Sequence, residues 1–387
     1  MSYQSILEFF SSLGKIYLAS SKLNKSQLLD TAVALTGWHR KSVIRIMSQR
    51  KNSDNNKRKC GRRSFYPQDI LLPHIEFLWN AMERISSKRM KAAFRDWLPL
   101  YHENGITNQL KFLLQKMSVS TLGRFLRIIK KNISPALKGL SSTSPARHML
   151  NKVPINTLDV SITCPGYVQA DTVAHCGTSL SGSFMNSITL TDIFSTWTVN
   201  RALYTKKGQE VRSMLSDIRS KLPFTLLGIN TDSGSEFLNT PVVNLWQEHK
   251  IKFSRSRAYK KNDNCYVEQK NFTHVRELFG YQRIEPVHLR KLMNEIYINY
   301  WNPLQNFFLP TFKLKEKIRI GARIKKVYDA PQTPFHRLVE STHVTQEQKS
   351  ELSKQKASLN PFQLKKDLEE KLAIFFKELN KYNEEKK

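Results

Sequence analysis

The chain of 387 residues is long enough for two or three domain cores, and with 40% hydrophobic and 10% aromatic residues it is composed as a folded protein, not a disordered one. Its formal net charge of +30, from 62 basic against 32 acidic residues, points to a polyanionic partner, nucleic acid before any other. No apolar run approaches the roughly 20 residues that span a bilayer, the N-terminus lacks a signal-peptide core, and the scattered Cys60, Cys164, Cys176 and Cys265 offer neither a disulfide framework nor a zinc site; a soluble, cytoplasmic protein that does not engage membranes is expected.

The charge is unevenly spread. Residues 1–150 hold 26 basic against 8 acidic residues, residues 151–310 hold 18 against 13, and residues 311–387 hold 18 against 11. The first segment is therefore the electrostatic anchor, and the middle is where the carboxylates concentrate.

In chain order, residues 5–50 predict helices joined by a tight turn. Asn24 is placed to cap a helix carrying Leu28, Leu29, Val33 and Leu35, and Thr36-Gly37 stops it. A second helix from about His39 sets Arg40, Lys41 and Arg45 among Val43, Ile44 and Ile46, a helix-turn-helix pattern whose three cations are the candidate DNA contacts. Residues 50–63, with seven basic residues and one acidic, read as a linker suited to phosphates. Residues 70–132 predict further helices with Trp79, Met82, Ile85, Phe94, Trp97 and Leu98 in their core. They end in a helix capped by Ser118 or Ser120, with Arg124 and Arg127 facing outward as a second DNA-binding unit. A Ser/Pro/Gly-rich linker follows at 134–146.

From residue 165 the period becomes that of strands. Gly166–Asp171, Ser187–Asp192 and Thr196–Tyr204 predict three strands, 207–221 a helix, and Phe224–Asn230 a buried strand that delivers Asp232. A helix at 242–249, a strand at Ile251–Ser254 and a long helix over Asn264–Phe279 complete an α/β core with a mixed sheet. Beyond it, alternation puts Lys313, Lys315, Lys317 and Arg319 on one face of a basic strand. Asn360-Pro361 then opens a helix with a stripe of Leu364, Leu368, Leu372, Phe375, Leu379 and Tyr382, suited to docking on its own protein or to self-association.

Three carboxylates hold strategic places in the α/β region: Asp171 ends the first strand, Asp232 follows the fourth, and Glu268 stands early in the long helix, with 35 residues between it and Asp232. With that spacing, with Asp232-Ser-Gly-Ser-Glu-Phe237 after a strand, and with the polar run Tyr259–Asn271 around Glu268, the chain resembles the DD(35)E superfamily of retroviral integrases and insertion-sequence transposases. Asp171–Gly177 and Gly321–Asp329 resemble a bacterial transposase group with an integrase-type core. The resemblance covers about residues 25–340 and is most specific over 165–280.

The resemblance implies a ribonuclease H-like core at 161–310. Before it stand a helix-turn-helix region at 1–60, a second helical DNA-binding region at 61–135 and a linker at 136–160; after it come a basic segment at 311–345 and an amphipathic helix at 346–387. It further implies that Asp171, Asp232 and Glu268 hold two Mg²⁺ ions, with Mn²⁺ able to substitute, because in-line displacement at phosphorus builds charge on two oxygens. Lys260, Lys261 and Lys270 are candidate phosphate contacts beside the site. The implied partners are the double-stranded DNA of element ends and target, bound by a homo-oligomer in a prokaryotic, nucleoid-associated setting.

The chain departs from retroviral integrases in lacking their histidine-cysteine zinc domain, and Arg276 is the nearest match to the basic residue they carry two turns after the glutamate. Glu236, His175 and His274 read as structural, Asp192 as a turn or surface group. Three other readings stay open: a nuclease of the same fold that never joins DNA; a DNA-binding regulator with a vestigial core, against which the presence of all three acids weighs; and an RNA-binding protein, against which the absence of RRM-type aromatic motifs weighs.

Overall fold

A computed structural model of the chain describes residues 3–48, 65–103, 105–130, 162–232, 234–256, 264–321 and 323–386. The linkers read at 50–63 and 134–146, and Lys260 and Lys261, lie outside the described residues. Two compact units result, Met1–Phe65 and Tyr66–Lys387, a coarser division than the six segments read from the sequence.

In the first unit α1 (Tyr3–Ala19), α2 (Lys22–Thr36) and α3 (Arg40–Met47) enclose Phe10, Leu29, Ala32, Val43 and Met47. The cap of α2 is Ser21, whose side chain accepts from the Asn24 N–H; Asn24, the cap expected, sits inside the first turn instead. Gly37 ends α2 at φ +68°, where a β-carbon would be strained, and His39 caps α3. Arg40 pairs with Asp30 and donates to Ser26 Oγ at 3.0 Å, fastening α3 to α2, whereas Lys41 and Arg45 are exposed.

The second unit opens with α4 (Gln68–Ala81), α5 (Ser87–Trp97), α6 (Asn108–Lys116) and α7 (Val119–Lys130). Trp79, Met82, Ile85, Phe94, Trp97 and Leu98 are all buried, Ser118 caps α7 through the Thr121 N–H at 3.2 Å, and Arg124 and Arg127 are exposed. These helices share one core with the rest of the unit: Trp97 Nε1 donates to the Phe308 carbonyl at 3.0 Å, and the Phe362 ring meets Trp97 at 5.0 Å.

The sheet comprises β1 (Tyr167–Ala174), β2 (Asn186–Asp192), β3 (Thr198–Leu203), β4 (Gly228–Thr231) and β5 (Lys252–Arg255), in the order β3-β2-β1-β4-β5. β2 runs antiparallel to β1 and β3, while β1, β4 and β5 are parallel, so the sheet is mixed as expected. α8 (Gly208–Ser220) connects β3 to β4, and α9 (Thr240–Glu248) connects β4 to β5. The fourth strand begins at Gly228, not Phe224, because Leu227 and Gly228 both donate to the Gly166 carbonyl and pairing with β1 starts only there.

After β5 come α10 (Cys265–Lys270), a π-helical stretch Asn271–Arg276 and α11 (Glu277–Phe279), so the long helix read from the sequence contains an i→i+5 turn. α12 (Leu289–Glu295) leads into π-helical stretches Ile296–Trp301 and Leu304–Phe308 that cover β3. Here three asparagines act as substitutes for a neighbouring strand. Asn306, Asn302 and Asn294 each accept from one backbone N–H of β3 and donate to the same residue's carbonyl, at Thr198, Asn200 and Ala202, over 2.8–3.3 Å. Every second residue of an edge strand points its backbone groups outward, and each of those pairs is thereby satisfied.

Asp192, at the end of β2, is a buried turn group and not a surface one. Its carboxylate accepts from the Gly166 N–H at 2.8 Å and from the Ser195 N–H and Oγ at 2.7 and 2.6 Å. Burial outweighs these donors and pushes the acid up to about 6. The native chain therefore holds this proton more tightly than the unfolded one, so the group's contribution to stability is fully present below its ordinary value and is lost as pH rises through about 6. Between pH ~4 and ~6 the unfolding free energy of wild type relative to Asp192→Asn is expected to fall by roughly 1.4 kcal/mol per pH unit, measured by urea denaturation. A difference that stays flat over that range would show that the acid is not perturbed.

The tail holds the antiparallel hairpin β6 (Leu314–Ile320) and β7 (Arg323–Tyr328), then α13 (Pro334–Glu340), α14 (Gln346–Ala357) and α15 (Pro361–Glu385), the last capped by Asn360. The stripe of α15 docks on its own protein, with Phe375 against Phe279 at 5.0 Å. The expected four-cation face is not formed. A register shift between Leu314 and Glu316 interrupts the alternation at Lys315, and Lys313 lies over the Phe194 ring at 4.5 Å. Arg337 on α13 is buried at the foot of the hairpin and donates to the Thr311 Oγ1 and carbonyl (2.6 and 2.8 Å), the Gln332 carbonyl (3.2 Å), Thr196 Oγ1 (3.2 Å) and Asp329 (3.0 Å).

Candidate active site

β1 and β4 are neighbours in the sheet, and this adjacency brings Asp171 and Asp232 together. Asp171 does not end β1 as expected but pairs with Thr189 inside it, since pairing with β2 continues to Ala174, while Asp232 follows the last residue of β4, whose Thr231 is the register partner of Ala170. Alternation along β1 puts Gln169 and Asp171 on one face, and that face receives α10. The Gln169 side-chain oxygen accepts from the Tyr266 and Val267 N–H groups at 3.1 and 3.3 Å, so the strand caps the start of the helix. Two residues along the strand, about 7 Å on, Asp171 Oδ2 accepts from Asn271 Nδ2 at 2.7 Å. Strand and helix thus run in step, and Asn271 opens the π-helical stretch.

Glu268 is exposed on α10, one turn before Asn271 and on the same helix face. Among the described residues no three His, Cys, Asp or Glu side chains are grouped closely enough to hold one ion, so Glu268 does not join the two aspartates in a closed cluster.

The electrostatics of the site are those of crowded acids. Burial first, and then the charges of Asp232 and Glu236, raise the Asp171 acid to about 7. Burial and Glu236 likewise raise Asp232, whose Oδ1 accepts from the Gly234 N–H at 2.9 Å. Glycine at 234 lets the two carboxylates beside it keep their places. A β-carbon at 234 would stand 2.7 Å from Glu236 Oε2 and 2.8 Å from Asp232 Oδ1, so any other residue there would displace one of the two carboxylates. Glu236, read as a loop-ordering group, is buried within this acid cluster. Burial acts to raise it, but Lys206 at 2.7 Å and Thr172 overcome that and hold it ionised.

These donors suit a hard divalent cation. Asp171 and Asp232 offer carboxylate oxygens under mutual repulsion, and Asn271 Oδ1 beside them is buried without a hydrogen-bond partner. Oxygen-only donor sets of this kind match Mg²⁺ and Mn²⁺.

Other expectations meet mixed outcomes. Lys270 is 8% exposed, its Nζ lies 3.3 Å from His274 Nε2, and burial lowers its ammonium to about 7, so it faces the interior and not a DNA phosphate. The two histidines are structural as read: His175 Nε2 bonds Ser187 Oγ at 2.8 Å, and His274 Nδ1 lies 3.3 Å from Asn200 Oδ1. Arg276 donates to the Ala174 carbonyl at 2.9 Å, bracing the end of β1. Gln169, Thr172, Lys206 and Asn271 are additions that the sequence reading does not contain. Asn271 has a signal, its place one turn after Glu268; Lys206, 30 residues before Glu236, gives none locally.

No helix of the described residues is long and apolar enough to cross a membrane. No family model matches the chain. The uncharacterized protein y4rM of Sinorhizobium fredii is 35% identical over 328 residues, which cover 83% of this chain and 91% of that protein. Among solved structures, the chain is similar to the catalytic core domain of BIV integrase (TM-score 0.22, 15% identity, 27% of this chain and 62% of that chain). It thus spans less than two thirds of that core. It is also similar to the HTLV-2 integrase catalytic core domain in complex with magnesium (TM-score 0.29, 20% identity, 38% of this chain and 90% of that chain). A chain of the simian T-cell lymphotropic virus intasome in complex with PP2A regulatory subunit B56 gamma is similar as well (TM-score 0.26, 15% identity, 44% of this chain and 56% of that chain).

Proposed function

This chain belongs to the same family as the uncharacterized protein y4rM, and we propose that it is a DDE-type transposase, an enzyme that binds insertion-element ends and carries out metal-dependent cleavage and strand transfer of DNA. The observation that carries the reading is the meeting of two half-buried acids, Asp171 on β1 and Asp232 just past the end of the adjacent parallel β4, beneath a helix whose Asn271 holds Asp171. The strand order, with β1 central, antiparallel to β2 and parallel to β4, supports a ribonuclease H-like, integrase-type core.

In this reading Asp171, Asp232 and Glu268 are the catalytic, metal-holding acids. Two Mg²⁺ ions, or Mn²⁺ in their place, supply activation of the attacking oxygen and stabilisation of the leaving one when bound. The chain's own side chains do the positioning. The Thr172 N–H at 2.7 Å and Asn271 orient Asp171, and the Gly234 N–H orients Asp232. Lys206 neutralises Glu236, which leaves the two aspartates as the acids with unsatisfied charge. The unit built on α2 and α3 serves as a helix-turn-helix with Lys41 and Arg45 toward DNA, and Arg40 behind them. Arg124 and Arg127 of α7, with Lys260 and Lys261 before α10, would meet further phosphates. Because two element ends are processed together, a homo-oligomer on DNA, in the nucleoid of a prokaryotic cell, is part of the proposal.

The test is incubation of the protein with DNA carrying candidate element ends and a supercoiled target, with Mg²⁺ or with EDTA. Cleaved ends and joined products that require the metal are expected. Cleavage without joining would turn the reading to a nuclease, and binding without chemistry on any end would turn it to a regulator.

A further inference from the structure

The β6–β7 hairpin has no core of its own. Every residue of its two strands is exposed except the half-buried Leu314 and Val327. A two-stranded ribbon of this kind is marginal in water by itself, so its surface is shaped for something outside the chain. The register decides which side chains share a face. Lys317 stands opposite Lys326 and Arg319 opposite Ile324 on one side; Ile318 opposite Lys325 and Ile320 opposite Arg323 on the other. Cations therefore stand on both faces, where a ribbon lying flat on a polyanion would need them on one. Both faces also carry isoleucine at the tip, with Ile320 61% and Ile324 63% exposed. The first face bears on the candidate site, since the charges of Lys317 and Lys326 act on Cys265, the first residue of α10.

We propose that the hairpin is a DNA-bending arm: it enters the minor groove of the duplex held at the active site, its two cationic faces meet the phosphates of the two groove walls, and its tip isoleucines wedge against base steps. The proposal rests on the reading of the chain as a DNA-acting enzyme and adds to it a site and a mechanical role. Cations on both sides answer the two phosphate walls of a groove. Isoleucine cannot read donors and acceptors at base edges, but apolar side chains that enter the minor groove part the base stack and kink the duplex.

The experiment uses the full chain in EDTA, so that it is independent of chemistry, and a short duplex of arbitrary sequence with a donor and an acceptor dye at its ends. Wild type is expected to raise energy transfer as it binds. Ile320→Ser with Ile324→Ser should keep affinity within about threefold yet lose most of that rise. Lys317→Ala with Arg323→Ala should lower the slope of log affinity against log salt by roughly 1.8, at about 0.9 per phosphate contact. An unchanged slope in the lysine-arginine variant, or unchanged energy transfer in the isoleucine variant, would overturn the arm. Equal or tighter binding of the matching single strand would overturn it too. So would loss of a dimer in sedimentation with DNA binding intact, which would assign the hairpin to a second copy of the chain. Failure of the metal-dependent assay alongside success here would sink the transposase reading and leave the arm standing.

Discussion

Asp232→Asn is expected to reduce DNA cleavage and strand transfer about a thousandfold or more, while leaving the fold intact. Several kcal/mol of stabilisation at the reacting phosphorus is what a bound divalent ion contributes, and roughly 4 kcal/mol corresponds to that factor. The substitution keeps the volume, and an amide oxygen can still accept from the Gly234 N–H that now bonds Oδ1. It also removes one of the charges that raise Asp171, so thermal stability without metal should hold or rise. A second readout separates loss of the site from loss of a substrate contact. Wild type should melt at a higher temperature in millimolar Mg²⁺ or Mn²⁺, because a ligand that binds only the native state stabilises it, and the variant should show little of this shift. Full activity in the variant would remove Asp232 from the mechanism. A metal-dependent shift that survives the substitution would move the ion elsewhere.

Arg337→Met is expected to cost about 3–5 kcal/mol of stability, the range for removing one partner of a buried charged network, measured by chemical denaturation of the full chain. The guanidinium is 6% exposed and joins the turn between β2 and β3, at Thr196, to both ends of the hairpin segment, at Thr311 and at Gln332 and Asp329. Methionine fills much of the space but leaves the Thr311 and Gln332 carbonyls without this donor and Asp329 without its ion pair. A loss under about 1 kcal/mol would mean that water or a rearranged Asp329 replaces the guanidinium. The same variant should weaken the proposed arm, whose foot this residue fastens.

Legibility in the sequence tracks how local the physics is. Asp232 and Gly234 can be read because their pattern lies in six consecutive residues, Asp232–Phe237, whose carboxylates a β-carbon at 234 would crowd. Asp171 can be read as a strand acid from the apolar run before it, but not as that strand's end, because the polar residues after it hide the three further pairs that carry β1 to Ala174. Ser21 escapes such a reading because Asn24, three residues on, is an equally good cap by type. Lys270 misleads because polar neighbours on both sides suggest an exposed stretch. Its inward direction comes from tertiary packing, at a point where an i→i+5 turn changes the faces of the helix beyond it. Lys313 misleads for a related reason: a bulge breaks the period of two on which the single-face argument depends. Lys206 acts through Glu236, 30 residues on, and Arg337 joins near partners at 329 and 332 to Thr196, 141 residues before it, so no pattern of neighbours announces either.

The three asparagines along β3 also limit how copies of this chain can meet. A strand edge with free N–H and carbonyl groups is a template for another chain, whether in a designed assembly or in aggregation. At Thr198, Asn200 and Ala202 that template is already filled by side-chain amides, each able to give and to accept because it is an amide and not an acid. Two copies therefore cannot fuse their sheets across β3 into one continuous ribbon. The closure acts at β3 alone, since β5 is the sheet's other edge; at β3 it leaves only helical surfaces for another copy to approach and removes one of the two templates for edge-to-edge polymerisation.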